Sequence, residues 1–340
     1  MNRNLADILN LLSKLTVRRF INILKVLAGY YLSRLLKRPV VFGMPVSVSL
    51  EPTTSCNLRC PECPSGLRSF TRPTGMMKMD VFSKTLDEIN RESLYINFYF
   101  QGEPFLNKDF LTMVNKAGEQ GLYTAASTNA HYLTLENAKA AVESGLDRLI
   151  ISLDGTTQEV YEQYRIGGNL STVIEGAKNI VAMKKELKSK TPYVVFQFLV
   201  VGPNEHQIQN AKLLAKETGV DGIAFKTAQI YDYKKGSPLI PSNEKYSRYQ
   251  KQNDGSFRLK NKLDDHCWRL WNSTVITWDG QVVPCCFDKD ASYSSGSVTT
   301  ESFSGIWKGE KLKKFRAAVL RSRKEIDICT NCSEGTTVWN

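Results

Sequence analysis

Three cysteines fall within eight consecutive positions of the stretch LEPTTSCNLRCPECPSG, residues 50–66. Cys56, Cys60 and Cys63 follow a strand-like apolar run, and their short spacers suit a loop wrapped around a metal site. Thiolates select zinc, copper(I) or iron–sulfur clusters. A structural zinc is closed by four ligands, whereas three local ligands leave one position for an exogenous group, as in catalytic sites. Zinc completed by a distant residue, or buried free thiols, are the alternatives.

A second group of five cysteines lies in the last 75 residues. Cys267, Cys285, Cys329 and Cys332 supply four thiolates, which can close around a [4Fe–4S] cluster or a zinc ion. The segment STVITWDGQVVPCC predicts a β-hairpin at its Asp-Gly pair. Eight clustered cysteines in 340 residues do not make a disulfide scaffold, and metal thiolates require a reducing compartment. Because no cleavable signal peptide is recognisable either, we expect a cytoplasmic protein.

The first 40 residues carry eight Lys or Arg and one Asp, which is +7 of the net charge of +11. Residues 5–37 are periodic at helical spacing. One broad face combines six apolar side chains: Leu5, Leu9, Leu12, Ile23, Leu27 and Tyr30. Lys14, Arg18 and Lys25 lie on the opposite face, and charges interrupt the apolar runs too often for a membrane span. The pattern is typical of a helix at an anionic membrane surface; packing on the main domain is the alternative.

Six apolar runs alternate with helical segments from residue 45 to about 230. The runs are PVSVSLE, LYINFYF, LYTAAST, LDRLIISLD, YVVFQFLV and GVDGIAFKTAQ. This pattern predicts βα units with a parallel sheet, either a partial barrel or a doubly wound sheet. Functional loops then follow the carboxyl ends of the strands, which is where the first cysteine loop lies. After residue 240 we expect a polar connection, the hairpin and a helix near 308–322.

The segment CNLRCPEC resembles the motif of the radical S-adenosylmethionine (SAM) enzymes, and the resemblance runs over about residues 45–230. It implies an α/β fold with a partial (β/α)6, TIM-like barrel. In that family three cysteines, here Cys56, Cys60 and Cys63, hold a [4Fe–4S] cluster whose fourth iron is chelated by SAM. The reduced cluster cleaves SAM to methionine and a 5′-deoxyadenosyl radical, which abstracts a substrate hydrogen.

Further segments resemble the family's motifs in the same order along the chain. QGEPFLN is similar to the Gly-Gly-Glu-Pro motif that contacts the SAM amino group, with Gln101 in place of the first glycine. STN and ISLDG are similar to segments that approach the SAM ribose and carboxylate, YEQYRIGG contains an arginine matching a carboxylate-binding one, and FQFLVVGPN resembles the adenine wall. The SAM-binding residues implied by the resemblance are Gly102, Glu103, Asn129, Ser152, Asp154 and Arg165.

The C-terminal segments CWRLWNSTVITWDGQVVPC, GSVTTESFSGIW and CTNC resemble the twitch domain, a shortened form of the SPASM domain of radical SAM enzymes. This resemblance implies one auxiliary [4Fe–4S] cluster, held by Cys267, Cys285, Cys329 and Cys332. Cys286 is then a spare thiol. A cluster ligated only by protein suits electron transfer better than direct substrate binding.

The sequence thus predicts an amphipathic leader at residues 1–44, a radical SAM barrel at 45–240 and an auxiliary-cluster domain at 241–340. The expected reaction is two-electron oxidation of a small-molecule substrate, sugar- or cyclitol-like or lipid-linked, with the auxiliary cluster as electron acceptor and a flavodoxin or ferredoxin as donor. A peptide maturase or epimerase is the first alternative, disfavoured by the shortness of the leader. A non-catalytic iron–sulfur or zinc-binding scaffold or redox sensor is the second.

No catalytic acid or base is assigned from the sequence. Lys226, Tyr231 and Tyr233 lie at or after the sixth strand, where substrate is expected, but such residues also serve in packing. The three histidines are expected to be loop or surface residues. We expect no nucleic-acid partner, because the positive charge belongs to the leader rather than to a stripe on the body. The leader predicts peripheral association with the inner face of a membrane.

Overall fold

The computed structural model of the chain describes residues 3–338. The helices are α1 (Arg3–Ser13), α2 (Val17–Leu36), α3 (Pro64–Leu67), α4 (Met79–Ile89), α5 (Phe110–Glu119), α6 (Leu135–Glu143), α7 (Gln158–Glu162), α8 (Leu170–Glu186), α9 (Ile208–Thr218), α10 (Arg269–Asn272), α11 (Phe303–Lys308), α12 (Glu310–Arg321) and α13 (Asp327–Thr330). Short 3₁₀ helices span Pro104–Leu106, Gly202–Gln207 and Arg323–Glu325.

The strands are β1 (Ser47–Leu50), β2 (Tyr95–Phe98), β3 (Tyr123–Thr128), β4 (Arg148–Ser152), β5 (Tyr193–Val200), β6 (Gly222–Thr227), β7 (Tyr249–Lys251), β8 (Phe257–Leu259), β9 (Ser273–Ile276) and β10 (Val282–Val283). The first six coincide with the six apolar runs, and helices separate them, so the predicted βα units are confirmed. The connection after residue 240 contains an antiparallel pair, β7 and β8, which the sequence did not predict.

The chain divides into two compact units, and the division falls within β3. The first unit comprises the residues up to Asn10, Cys56–Ser69 and Ala125–Lys262. The second unit comprises Leu11–Ser55, Phe70–Thr124 and the residues from Leu263 onwards. The boundaries predicted from the sequence, 1–44, 45–240 and 241–340, stay a prediction.

In the first unit, β3 pairs with β4, β4 with β5, and β5 with β6, all in parallel. β5 shows why these residues form a strand: Phe196 and Phe198 are fully buried, and Gln197 between them is only partly buried. Helices return the chain between the parallel strands. The carboxyl ends of these strands therefore meet at one edge of the sheet, where the residues after β3 and β4 lie.

In the second unit, β1 pairs in parallel with β2 on one side and with β9 on the other. β9 and β10 form the antiparallel hairpin predicted at the Asp-Gly pair. Gly280 has φ +86°, a left-handed conformation that glycine adopts without steric cost. Because β9 pairs with β1, the segments before and after the hairpin lie beside β1. These segments carry Cys267 and Cys285.

The leader forms two helices. α1 ends at Ser13, and Thr16 caps α2 by accepting the Arg19 backbone N–H at 3.3 Å. The buried Arg19 guanidinium donates to the carbonyls of Asn90 and Gln120, at 2.7 and 3.0 Å. These carbonyls lie at the ends of α4 and α5, where helix carbonyls lack partners. Arg19 therefore anchors the start of α2 to the ends of α4 and α5.

One face of α2 packs on the C-terminal region. Tyr30 lies 5.2 Å from the Trp268 ring and 5.7 Å from the Trp271 ring, and Ile23 and Leu27 pack against the same apolar cluster. These three α2 side chains belong to the face predicted from the sequence for a membrane surface. They are covered by protein because the C-terminal aromatic residues offer them an apolar surface. Among the described helices, none is long and apolar enough to cross a membrane.

Candidate active site

The N-terminal cysteines, by which we mean Cys56, Cys60 and Cys63, lie in the loop that follows β1. None of them forms a disulfide, and all three belong to or pack against one apolar cluster that includes Leu58 and Tyr164. Cys60 is 5% exposed, and the other two are partly buried. The loop is tightly folded, with the Cys63 backbone N–H donating to the Cys60 carbonyl at 3.3 Å. The three cysteines thus share one loop and one apolar surrounding, and their role as cluster ligands stays a prediction.

The N-terminal cysteines fit an iron–sulfur cluster by their chemistry and surroundings. Within residues 3–338, no three Cys, His, Asp or Glu side chains converge on a metal position as they stand, so the fit depends on the donors themselves. Three cysteine thiols in an apolar setting are the donors that iron–sulfur clusters require. The Leu58 backbone N–H points at Cys56 Sγ, at 3.5 Å, and N–H groups aimed at sulfur tune such clusters.

Asn129 lies directly after β3 and faces the cysteine loop. It is 5% exposed, and its Nδ2 donates to Asn57 Oδ1 at 2.8 Å and lies 3.8 Å from Cys56 Sγ. His131 holds the amide in place: its backbone N–H donates to Asn129 Oδ1 at 3.0 Å, and its Nε2 accepts the Asn169 backbone N–H at 2.8 Å. Asn129 is thus brought to the N-terminal cysteines, and the contact with SAM that the resemblance implies stays a prediction.

Asp154 and Arg165 form a buried ion pair beside Cys60. Arg165 Nε lies 2.5 Å from one oxygen of Asp154, and the other oxygen accepts the Leu199 backbone N–H at 2.7 Å. Arg165 Nη1 lies 3.7 Å from Cys60 Sγ. Burial by itself lowers the pKa of Arg165, but Asp154 and Cys60 outweigh it and hold that pKa well above the usual value. A permanent positive charge is therefore kept beside the cysteine loop.

Ser152 and the residues after β6 lie in the first unit as well. Ser152 ends β4, is 6% exposed and stands opposite Gln197 of β5. The Tyr231 backbone N–H donates to Glu62 at 2.8 Å, and burial raises the pKa of the Tyr231 hydroxyl, with Cys63 and Glu62 adding to the effect. Tyr231 is thereby placed at the cysteine loop.

Tyr233 and Lys226, the other two residues considered near β6, lie differently from Tyr231. Tyr233 stacks on Tyr249, with ring centroids 4.5 Å apart. Lys226 lies within β6 and is exposed. Tyr233 therefore serves in packing, one of the two roles that the sequence left open for it.

Gly102 and Glu103 lie in the second unit, in the loop after β2. The Glu103 backbone N–H donates to the Ser55 carbonyl at 2.8 Å, so this loop is bonded to the residue that precedes Cys56. Gly102 has φ +74°, and a Cβ there would lie 2.2 Å from the Thr53 carbonyl oxygen. Only glycine therefore fits at this position. Glu103 is 2% exposed and caps the 3₁₀ helix that follows it.

A buried ion pair that the sequence analysis missed holds the end of β1. Glu51 is fully buried and accepts from Arg72 Nη1 at 2.9 Å and from Nη2 at 2.5 Å. Arg72 Nε also donates to the Lys289 carbonyl at 3.1 Å, and the Trp278 backbone N–H donates to Glu51 at 3.2 Å. The pair links β1 with the hairpin region within the second unit.

The C-terminal cysteines, Cys267, Cys285, Cys329 and Cys332, lie close enough to influence each other. Burial raises the pKa of Cys329 to about 11 and that of Cys332 to about 12, and the Cys267 thiol contributes to both shifts. Burial also raises the pKa of Cys285 well above its usual value, with Cys286, Cys267 and Cys332 adding to it. Cys267 and Cys329 lie in one buried cluster, and the Cys332 backbone N–H donates to the Cys329 carbonyl at 3.1 Å. Cys286 is the exposed one of the adjacent pair.

The surroundings of the C-terminal cysteines also fit a cluster. Cys332 Sγ lies 3.2 Å from Arg323 Nη2 and accepts the Glu334 backbone N–H at 3.3 Å. Gly335 has φ +80°, and a Cβ there would lie 2.4 Å from Cys267 Sγ. A cationic donor and a close backbone approach around thiols are features of protein-ligated iron–sulfur clusters.

Sequence reasoning did not single out Asn57, His131 or Arg323 as site residues. Asn57 had a local signal, since it lies between two ligands of the cysteine loop. His131 follows Asn129 by two residues, a spacing that suits a local hydrogen bond. Arg323 had no local signal, because its contact with Cys332 depends on how the segment after α12 folds back.

Family comparisons match the same two regions. Residues 50–214 match the radical SAM superfamily, and residues 267–333 match SPASM, an iron–sulfur cluster-binding domain. The chain therefore belongs to the radical SAM superfamily and carries a C-terminal SPASM domain. Its cofactors are SAM, the [4Fe–4S] cluster of the radical SAM domain and additional iron–sulfur clusters in the SPASM domain. The family and the cofactors predicted from the sequence are confirmed.

Curated relatives cover much of the chain. It is 27% identical over 312 residues to the tungsten-containing aldehyde ferredoxin oxidoreductase cofactor-modifying protein of Pyrococcus furiosus, covering 84% of this chain and 86% of the relative. It is 34% identical over 127 residues to the PqqA peptide cyclase of Rhodopseudomonas palustris, 37% of this chain and 33% of that one. It is 23% identical over 289 residues to the subtilosin biosynthesis protein AlbA of Bacillus subtilis, 80% and 62% of the two chains.

A solved structure confirms the fold class. Streptococcus suis SuiB superposes with a TM-score of 0.64 at 13% identity, covering 88% of this chain and 74% of SuiB. The α/β architecture with a parallel-sheet core is thus that of radical SAM enzymes, as the sequence predicted.

Proposed function

We propose that this radical SAM enzyme modifies a peptide. The observation that carries the proposal is the similarity to a peptide cyclase and to a subtilosin biosynthesis protein, the latter over 80% of this chain. The chain spans about a third of the first relative and 62% of the second. A peptide therefore ranks first among the candidate substrate classes, ahead of the small molecules expected from the sequence.

Residues of the first unit would bind and orient SAM. The N-terminal cysteines would hold the cluster. When bound, the cluster would supply an electron, and SAM would supply the radical that abstracts a substrate hydrogen. Arg165, held charged by Asp154, would bind the SAM carboxylate. Asn129, with its amide fixed by His131, would donate to the ribose, and Ser152 would line the same surface.

Residues of the second unit complete this assignment. Glu103 would accept from the SAM amino group, and Gly102 allows the tight approach of its loop to Thr53 and Ser55. The C-terminal cysteines would hold an auxiliary cluster ligated only by protein, which suits electron transfer. We assign flavodoxin or ferredoxin as the electron donor, because the chemistry needs a one-electron reductant.

Two-electron oxidation of a sugar- or cyclitol-like or lipid-linked substrate ranks below peptide modification. The auxiliary cluster held by the C-terminal cysteines would be the electron acceptor in such an oxidation. The named relatives, however, act on peptides and a cofactor or in bacteriocin biosynthesis. Epimerisation of a residue in the peptide is one type of modification that this proposal includes. The scaffold or redox-sensor alternative ranks last, because Asn129 and Arg165 lie beside the N-terminal cysteines as SAM binding requires. We also propose that the enzyme is cytoplasmic and peripheral on the membrane.

An isotope-transfer experiment tests the proposed substrate class. Cells of the source organism are grown in deuterated medium, and their extract is separated into peptide, small-molecule and lipid fractions. Each fraction is incubated without oxygen with reconstituted enzyme, unlabelled SAM and dithionite. Mass spectrometry then measures deuterium in the 5′-deoxyadenosine formed, because hydrogen abstracted from the substrate is carried there.

The proposal predicts deuterated 5′-deoxyadenosine from the peptide fraction, abolished when that fraction is pretreated with protease. A variant with all three N-terminal cysteines changed to Ala is the control and forms no 5′-deoxyadenosine. Deuterium arising only from the protease-resistant small-molecule or lipid fraction would overturn the peptide proposal and favour the oxidation.

A further inference from the structure

Helix α2 has one face covered by the rest of the second unit and an opposite, apolar face that is exposed. The covered face carries the buried residues Arg19, Asn22, Val26, Gly29, Tyr30 and Ser33. The opposite face carries side chains that recur every three or four residues and are exposed. We call them the exposed stripe: Val17, Phe20, Ile21, Leu24, Ala28, Tyr31 and Leu35. A helix at the surface of a water-soluble domain usually buries one apolar face and hydrates the other.

The exposed stripe is long and strongly apolar. From Val17 to Leu35 it covers about 27 Å at about 1.5 Å per residue. Val17 and Leu35 are 78% and 79% exposed, and Phe20 and Leu24 are each 49% exposed. Of the large apolar side chains exposed in the described part of the chain, most lie between Leu5 and Phe42. Contiguous exposed apolar surface of this kind marks an interaction site.

The leader after Asp7 carries charges of one sign, and the acidic side chains near it, Glu92 and the pair Asp264 and Asp265, belong to other segments. No Asp or Glu occurs between Asp7 and Glu51, whereas this interval contains seven basic residues: Lys14, Arg18, Arg19, Lys25, Arg34, Lys37 and Arg38. Lys25, Arg34 and Arg38 are exposed on or just after α2. Arg18 is bonded to Glu92, at 2.8 Å from Nε, and Arg19 is buried. The remaining cations complement an anionic partner.

The stripe is held outward by the contacts of the opposite face. Arg19 is bonded to the carbonyls that end α4 and α5, and Tyr30 is packed among the Trp268 and Trp271 rings. Rolling α2 to bury the stripe would break these contacts. The apolar surface therefore needs a partner from outside the unit.

We propose that the exposed stripe docks α2 in the plane of an anionic phospholipid surface. Aromatic and aliphatic side chains on one face with Lys and Arg at its margins are the features of interfacial helices. The apolar side chains would enter the acyl boundary, while Lys25, Arg34 and Arg38 would lie among anionic headgroups. This inference rests on the peripheral localisation proposed above and is independent of the substrate's identity.

Vesicle flotation of the reconstituted full chain tests the docking surface. The probes are vesicles of phosphatidylcholine alone and vesicles with about 30 mole per cent phosphatidylglycerol. The apolar variant is Phe20→Ser/Leu24→Ser, and its matched control is Leu135→Ser/Leu213→Ser, two leucines 58% and 59% exposed outside the stripe. The charge variant is Lys25→Glu/Arg38→Glu, with the exposed Lys311→Glu as control.

The inference predicts that the wild-type chain floats with the phosphatidylglycerol vesicles and that binding weakens as salt is raised towards about 1 M. Both stripe variants should lower the partition coefficient at least about tenfold, and both controls should leave it unchanged. Absence of wild-type binding, or equal binding by stripe and control variants, would overturn the inference. A wild-type dimer that the apolar variant dissociates would also overturn it, because a second copy would then be the occupant.

Two further measurements distinguish loss of the docking surface from misfolding and from failure of the proposed function. Unfolding midpoints of the variants must match the wild type, since the substituted side chains are exposed. SAM cleavage with dithionite, measured without vesicles, should be unchanged in both stripe variants. Lost lipid binding with intact SAM cleavage therefore concerns the docking surface alone, and lost SAM cleavage in the wild type would concern the proposed function instead.

Discussion

The side chains beside the N-terminal cysteines are held by other side chains. Asn129 is oriented by His131, and Arg165 is oriented by Asp154, whose two oxygens are both engaged. Each supporting residue is in turn held by a later segment, because His131 accepts the Asn169 backbone N–H and Asp154 accepts the Leu199 backbone N–H. Changes at the supporting residue should therefore be felt at the SAM site.

Asp154→Asn should strongly destabilise the protein. The change leaves the Arg165 guanidinium buried with a neutral partner, and breaking a buried pair in this way costs about 3–5 kcal/mol. Denaturant unfolding, followed by circular dichroism, gives the change in the free energy of unfolding. The matched control is Glu143→Gln, which removes an exposed pair with Lys139 and should cost little. Equal effects of the two substitutions would contradict the assignment.

Protonation of His131 should weaken the loop that carries Asn129. Burial lowers the pKa of His131, Arg165 lowers it further, and the hydrogen bond to the Asn129 carbonyl opposes them. The folded pKa therefore lies below the unfolded value of about 6.5. The stabilising contribution of neutral His131 is complete above that value and is lost as the pH falls through the folded pKa, because Nε2 then cannot accept the Asn169 N–H.

The test compares unfolding midpoints of the wild type and His131→Gln from about pH 8 down to about pH 5. The wild type should be more stable by a margin that is largest at the high end and shrinks as the pH falls. His206→Gln, at an exposed position, is the control. A margin for His131→Gln that is independent of pH would contradict the assigned role.

At the residue scale, the sequence identified candidate ligands but not the side chains that support them. Both cysteine groups and Asn129 follow from local spacing and resemblance. The bond from Arg323 to Cys332 and the pair of Glu51 with Arg72 do not, because each joins segments that no local pattern relates. Whether each implied residue contacts SAM stays a prediction.

Glycines at two loops fix how closely the elements approach. Gly102→Ala should destabilise the protein by more than Gly145→Ala, although both glycines have φ +74°. A Cβ at Gly102 would lie 2.2 Å from the Thr53 carbonyl, whereas one at Gly145 meets nothing within 4 Å. The left-handed conformation alone costs about 1 kcal/mol. Urea unfolding and SAM dissociation constants check this, and equal losses in the two variants would contradict it.

Gly335→Ala should remove the C-terminal cluster while the N-terminal one is retained. The new Cβ would lie 2.4 Å from Cys267 Sγ and force the thiol away. Iron should therefore fall by about four per chain. Gly255→Ala is the control, because Gly255 has a similar φ, +83°, with nothing within 4 Å. Full iron content in Gly335→Ala would show that Cys267 is not held as described.

At the element scale, the βα pattern was predictable because apolar runs and helical periodicity are local. The leader was not fully predictable. Its periodicity runs across the break at residues 14–16, and the sequence placed Ile23, Leu27 and Tyr30 on a membrane-facing side. These side chains are covered because distant tryptophans pack on them. The exposed apolar side of α2 is the opposite one, which only the tertiary contacts show.

At the scale of the whole molecule, the two cysteine groups belong to different compact units. The N-terminal cysteines lie in the first unit with Asn129 and Arg165, and the C-terminal cysteines lie in the second with Arg323. Each group has its own donors, so each should bind its cluster without the other. This independence is the central claim about the molecule.

The measurement that tests this claim most directly is the iron and sulfide content of anaerobically reconstituted protein. We expect about eight irons per chain in the wild type and about four in each of two variants, Cys56→Ala/Cys60→Ala/Cys63→Ala and Cys329→Ala/Cys332→Ala. Cys286→Ala should keep about eight. Zinc in the C-terminal site, loss of all iron in either cysteine variant, or loss of iron in Cys286→Ala would contradict the account.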